Sequence, residues 1–135
     1  RSSDLLAKLA YGANYDQVME APVTIALFTD TDLQKRARKI ARVGGVKNFT
    51  DEQLQYFMQN LPAEFARYDA QQTSDYLALN AGLVAMNLVL ALTDQGIGTN
   101  IILGFDKSKI NEVLDIEERF RPEVLITVGY AAEKV

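Results

Sequence analysis

The sequence has no cysteine and no histidine among its 135 residues. Those absences together remove disulfides, thiolate nucleophiles, imidazole bases and the commonest zinc ligands, and with them most hydrolase templates. An enzyme made of this chain must work through carboxylates, a tyrosine or a bound organic cofactor that the protein positions. A surplus of positive charge is missing too. The 14 Lys and Arg against 18 Asp and Glu leave a net charge of −4 and a pI near 4.8, a field that repels polyanions and argues against nucleic acid as a partner. No uninterrupted apolar run of membrane-spanning length is expected, because Asn80, Asn87 and Asp94 break the longest one, and no charged-then-apolar signal segment opens the chain. The expectation is a soluble, cytoplasmic protein without a metal site. Because the chain opens on Arg1 rather than Met and enters a helix almost at once, it reads as a fragment, or the ordered part, of something longer.

What is present is a core. A hydrophobic content of 48% over 135 residues suits one globular domain spanning 1–135, large enough to bury roughly two thirds of its unfolded surface. Residues Ser74 to Tyr130 read as its organising unit. Leu77, Ala81, Val84, Ala85, Leu88 and Leu92 recur at helical spacing, while Leu79, Leu83, Met86 and Leu90 fill much of the remaining circumference. This pattern predicts a helix buried on most sides, with Asn87 a satisfied core amide or a hydrogen-bonding group across a dimer. Gly96 suits the left-handed position that closes such a helix. Beyond it, Gly98 and Gly104 carry no side chain to keep a flat ligand away from the turn.

Ser2 or Ser3 caps a first helix striped by Leu5, Leu6, Leu9 and Ala10, which Gly12 ends. A short helix over Asn14–Glu20 stops where Pro22 disfavours helix at Ala21. Val23 to Thr29 is apolar on both faces, which places it centrally in a sheet. Leu33, Ala37, Ile40 and Ala41 then share one side of a helix whose other side carries Lys35, Arg36, Arg38, Lys39 and Arg42. That basic side could dock the phosphate of a nicotinamide dinucleotide, although a solvated surface helix is the simpler reading. After a loop at Gly44-Gly45, Thr50 and Gln53 form a capping-box pair that opens a helix striped by Leu54, Phe57, Met58 and Leu61 and closed by Pro62. Thr73 or Ser74 caps the long helix. Thr99 to Leu103 reads as a short extended piece, Asp106 caps a helix carrying Ile110, Val113 and Leu114, and Pro122 precedes an interior strand with apolar groups on both faces. The adjacent carboxylates Glu117-Glu118 and Asp51-Glu52 diverge and make no acid–base pair. The result is α+β, a sheet flanked by helices.

Three stretches resemble the nitroreductase family of FMN-dependent NAD(P)H oxidoreductases. They are Gly12 to Pro22 with the apolar strand that follows, Asn87 to Asp106 with its N-L-x-L-A, G-I-G-T and G-F-D pattern, and Arg119-Phe-Arg-Pro122 through Tyr130. Their order and spacing carry the likeness. The resemblance implies a nitroreductase-like fold with a central, mainly antiparallel sheet, and a homodimer with FMN at the subunit interface. The flavin is reduced by NAD(P)H and reoxidised by a quinone, nitroaromatic or similar small-molecule acceptor. It also implies residues. Asn14 and Gln17 face the flavin or its ribityl chain, the backbone of Ile101, Ile102, Leu103 and Gly104 lies along the ring, and Tyr56 and Phe57 touch substrate. Family members usually add an Arg-Ser segment that grips the FMN phosphate, a Pro-Ser-x-x-Asn-x-Gln-Pro stretch and a basic C-terminal strand. No arginine-rich form of the first, and neither of the others, occurs here, and Ile101 and Leu103 replace the proline and glutamate of some members. The implied chemistry needs no protein acid or base, so no catalytic side chain is expected. The alternative is a non-catalytic flavin-binding or dimerisation module on the same scaffold.

Overall fold

The computed structural model describes residues 2–39 and 49–131. Arg1, Ile40, Ala41, Arg42, Gly44 and Gly45, to which the sequence assigned roles, lie outside those residues. The elements in chain order are α1 (Ser2–Ala7), α2 (Asn14–Glu20), β1 (Val23–Asp30), α3 (33–39), α4 (Asp51–Phe65), α5 (Ala70–Asp94), β2 (Gly98–Ile102), α6 (Ile110–Leu114) and β3 (Phe120–Gly129). They group into two compact units, one of Arg1–Thr29 with Ala78–Val135 and one of Asp30–Leu77.

The first unit holds a three-stranded sheet in the order β1-β3-β2, with β2 and β3 antiparallel and Ile102 opposite Leu125, Ile101 opposite Ile126. β3 is the interior strand, as its two-sided apolar pattern predicts, and Leu125 and Ile126, which point to opposite faces, are both fully buried. β1, expected in the centre, is an edge among the described strands, and its residues are half-buried rather than enclosed. Apolar residues on both sides of a strand show that both sides are shielded, not that it has two neighbours. One face of the sheet carries a core of Leu6 and Ala7 from α1, Leu9, Val18 from α2, Ile102, Phe105, Ile110 from α6 and Leu125. Each large side chain there contributes about 1.5–3 kcal/mol of hydrophobic stabilisation. Glu123 is buried in β3 but satisfied: Arg121 Nε and Thr29 Oγ1 both donate to its Oε1 at 2.7 Å, tying β1 to β3.

The second unit packs Leu33 and Ala37 of α3, Phe65 of α4 and Leu77 of α5 into a core edged by Tyr68 and Tyr76. The capping box that opens α4 is present, with Gln53 N–H donating to Thr50 Oγ1 and Thr50 N–H to Gln53 Oε1. Pro62 does not end this helix. It lies inside it, buried, and the chain stays helical to Phe65, the burial of Pro62 and Phe65 offsetting the lost backbone donor and the crowding of the ring against the preceding turn. α5 likewise starts before Thr73. Asp69 and Gln72 cap one another, Gln72 N–H donating to Asp69 Oδ1 at 2.7 Å and Asp69 N–H to Gln72 Oε1 at 3.0 Å.

Two sequence expectations for α5 are corrected. Ala81 and Ala85 are buried, but Leu79, Leu83, Val84, Met86 and Leu90 are 50–65% exposed, and Asn87 is exposed rather than in the core. This 25-residue helix is also long and apolar enough to cross a membrane by length and composition, with an 18-residue window of mean hydropathy 1.7. Two asparagines do not lower that mean enough to exclude it. The helix closes as predicted at Gly96, with φ of 72° and Ile97 N–H donating back to Leu92.

Candidate functional site

The chain leaving α1 and the turn following β2 are joined by backbone hydrogen bonds. Tyr11 N–H donates to the Gly104 carbonyl at 2.9 Å, Asp106 N–H donates to the Leu9 carbonyl at 2.8 Å, and Ala10 and Phe105 form an antiparallel bridge. Gly12, at φ of 55°, turns the chain into α2, whose first residue is Asn14. Its Nδ2 donates to the same Gly104 carbonyl at 3.1 Å. Three residues on, and so on the same side of α2, Gln17 accepts through Oε1 from Asn100 Nδ2 on β2. The two residues that the resemblance paired are therefore both fastened to β2 and its turn.

The four turn residues divide by side chain. Ile102 is 2% exposed and belongs to the core, so only its main chain can serve a ligand, whereas Ile101 is 38% and Leu103 65% exposed. An open apolar surface thus lies on main chain that Asn14 and Gln17 brace from α2. A further reason for the glycines is internal. A Cβ on Gly104 would stand 2.8 Å from Asn14 Nδ2, and one on Gly98 would stand 3.1 Å from the Gly129 carbonyl oxygen. Both glycines admit a neighbour from within the protein, and the carboxamide of Asn14 is what fills the space at Gly104.

Near the start of β2 opens a groove of about 340 Å³, lined by Pro22, Gly98, Asn100, Thr127, Gly129 and Tyr130 among others, in which Glu20 is the only charged residue among the described ones. A groove with a carboxylate and no cation does not favour a phosphate. After the turn, Asp106 accepts at Oδ1 from the Ser108 hydroxyl at 2.6 Å and the Ser108 N–H at 3.0 Å, with Lys109 Nζ 3.8 Å from Oδ2. The Ser108 hydroxyl above all, helped by the Ser108 amide and Lys109, holds the Asp106 carboxyl below its ordinary value of 3.8. Asp106 therefore caps the turn that leads to α6.

Tyr56 and Phe57 belong to the second unit. They are exposed on α4 with Phe49, which stacks on Phe57 at a centroid distance of 4.8 Å and 23°, while Tyr56 meets Phe57 edge-on at 6.0 Å. Sequence reasoning missed Phe49 and Asn100. Phe49 stands outside any periodic pattern that would single it out. Asn100 follows Thr99 in a strand whose apolar residues are only Ile101 and Ile102, so no break in an apolar pattern marks it.

The Nitroreductase family model matches residues 6–130. A Streptococcus pyogenes serotype M6 protein named Putative NAD(P)H nitroreductase Spy0809 is 60% identical over 131 residues, covering 95% of this chain and 65% of the relative. The crystal structure of a nitroreductase family protein from Streptococcus pneumoniae TIGR4 superposes with a TM-score of 0.91 at 80% identity, covering all of this chain and 68% of that one. A structure from Exiguobacterium sibiricum 255-15, of a protein in complex with FMN, gives 0.85 at 26% identity over 97% of this chain and 63% of that one. The chain spans just under two thirds of the length of the curated relatives it matches.

Proposed function

This chain belongs to the nitroreductase family, and on that premise we propose that it works as an FMN-dependent oxidoreductase, using NAD(P)H to reduce a nitroaromatic, quinone or similar small-molecule acceptor. The observation that carries this reading is the Asn14–Gly104 hydrogen bond beside the exposed Ile101 and Leu103. It makes a braced main-chain ledge with an apolar surface, which is what a planar heteroaromatic ring requires. The complex of the E. sibiricum relative with FMN supports the choice of cofactor.

The residues present fit the ring. Asn14 spends Nδ2 on Gly104 and keeps Oδ1, while Gln17 spends Oε1 on Asn100 and keeps Nε2. Neither remaining group has a partner among the described residues, so both can meet polar atoms of a flavin. Ile101 to Gly104 hold the ring through main chain and apolar contact. FMN, when bound, supplies the two-electron relay between nicotinamide and acceptor. The chain's part is to hold the ring flat, keep water from one face with Leu103, and offer dipoles where charge builds on reduction. The phosphate is left to residues other than those of the groove, whose one charge among the described residues is Glu20. We assign Tyr56 and Phe57 to acceptor binding, for which their exposed π-faces are suited.

A second copy of the chain is the partner we assign to the exposed side of α5. Five large apolar side chains from Leu79 to Leu90 form the kind of continuous surface that marks an interface, and the polar Asn80 and Asn87 along the same helix suit protein better than lipid. The cytoplasm, where NAD(P)H is at hand, is the proposed location. A dimerisation module without flavin chemistry is the second reading, favoured by the absence of a cation among the described residues of the groove.

The test uses full-length protein saturated with FMN under anaerobic conditions. Excess NADH or NADPH should bleach the flavin absorbance, and bleaching by neither would end the oxidoreductase reading. Titration with FMN separates the alternative, since saturable quenching of flavin fluorescence contradicts an empty scaffold.

A further inference from the structure

Gln17 and Asn100 stand 83 positions apart, yet the Nδ2 group of Asn100 donates to Oε1 of Gln17. Both side chains are exposed, and in β2 Asn100 directly precedes the open Ile101, whose side chain points to the opposite face. A carboxamide has one acceptor end and one donor end, and whichever end is engaged decides which is offered outward. With Oε1 held by Asn100, Gln17 offers Nε2–H. One helical turn earlier Asn14 is held the other way, its Nδ2 on Gly104, and offers Oδ1. The same side of α2 thus presents an acceptor and a donor side by side, each fixed by a bond to the strand-and-turn segment opposite. Free in water, an exposed glutamine would sample both orientations at little cost. In the structure the bond from Asn100 holds it with Oε1 inward.

We infer that Asn100 is a positioning residue, which by holding Oε1 of Gln17 turns Nε2 outward as a hydrogen-bond donor to the edge of the flavin that gains negative charge on reduction. This rests on the FMN reading above. A donor there stabilises the reduced form more than the oxidised form and so raises the midpoint potential of the bound flavin. An acceptor there does the opposite.

Asn100→Asp tests this directly. A carboxylate accepts only, so Gln17 must reverse and present Oε1 to the ring. In full-length protein this variant should bind FMN about tenfold more weakly by fluorescence quenching and show a lower midpoint potential by dye equilibration. Because aspartate also adds a charge, Gln17→Met and the double variant Gln17→Met/Asn100→Asp complete a cycle. The potential should fall by much less when Asn100→Asp is added to the Gln17→Met variant than when it is added to the wild type. Equal falls in both backgrounds would overturn the inference, because the charge would then act without Gln17. A lower melting temperature with unchanged potential would also overturn it, leaving Asn100 a purely structural tie. Asn100→Leu, which frees Gln17 without adding charge, should weaken FMN binding a few-fold, and unaltered binding there counts against the inference. Wild-type protein that fails to bind FMN overturns this inference together with the reading it rests on. Wild-type binding with an additive cycle overturns this inference alone.

Discussion

The carboxamide of Asn14 occupies the space that a side chain on Gly104 would claim: a Cβ there would lie 2.8 Å from Nδ2, closer than any relaxed carbon–nitrogen contact. The same amide donates to the Gly104 carbonyl at 3.1 Å. The glycine and the asparagine therefore make one fitted pair, and changing the first moves the second. Gly104→Ala should swing Asn14 away and break that hydrogen bond, at about 1 kcal/mol of stability. FMN affinity should fall about tenfold as the ring loses a fixed polar contact. Thermal melting and a fluorescence titration measure the two effects, and an unchanged FMN affinity would remove Asn14 from the site.

The exposed side of α5 yields a second prediction. Leu83 and Leu90, 63% and 60% exposed and two turns apart, lie where a second copy is proposed to pack. Replacing both with glutamate removes about 1.5–3 kcal/mol of burial per side chain per subunit and adds charge to a desolvated surface. The dissociation constant of the dimer should rise at least about a hundredfold, visible by sedimentation equilibrium as monomer at micromolar concentration. Both proteins sedimenting alike would show that this side of α5 is not the interface.

Acidity gives a third. The Asp106 carboxyl is held below its ordinary value of 3.8, chiefly by the Ser108 hydroxyl. A carboxyl depressed in the folded state contributes stability that is fully present above its unfolded value and is lost as pH falls through the folded one. Ser108→Ala should bring the Asp106 titration back toward 3.8 and lower stability slightly at neutral pH, with the difference from wild type vanishing in strong acid. Carboxyl-carbon NMR titration of the two proteins reads the shift, and coincident curves would refute the role given to Ser108.

Local structure was largely legible in the residues. The reach of α2, the capping box of Thr50 and Gln53 and the left-handed closure at Gly96 all follow from interactions within a few positions, which is the range that pattern and capping rules cover. What lay beyond that range was read less well. The apolar circumference of α5 shows that it needs covering but not what covers it, and the chain alone leaves Leu79, Leu83 and Leu90 bare. The two apolar sides of β1 say nothing of how many strands flank it. At Pro62 the local rule gave way to the burial of Phe65 three residues later. As for the candidate site, the family resemblance supplied Asn14 and Gln17, but nothing in their spacing showed that Gly104 and Asn100 would hold them, since those partners lie 90 and 83 positions away.

Those separations bear on how the molecule comes into being. The two clasps close loops of 90 and 83 positions, and ordering so long a stretch costs entropy that local contacts do not repay. Helices such as α4 and α5 can gather early. The ledge beside Leu103 cannot exist until residues near the beginning of the chain reach those well past its middle, so whatever that ledge holds is taken up only after those two parts have met.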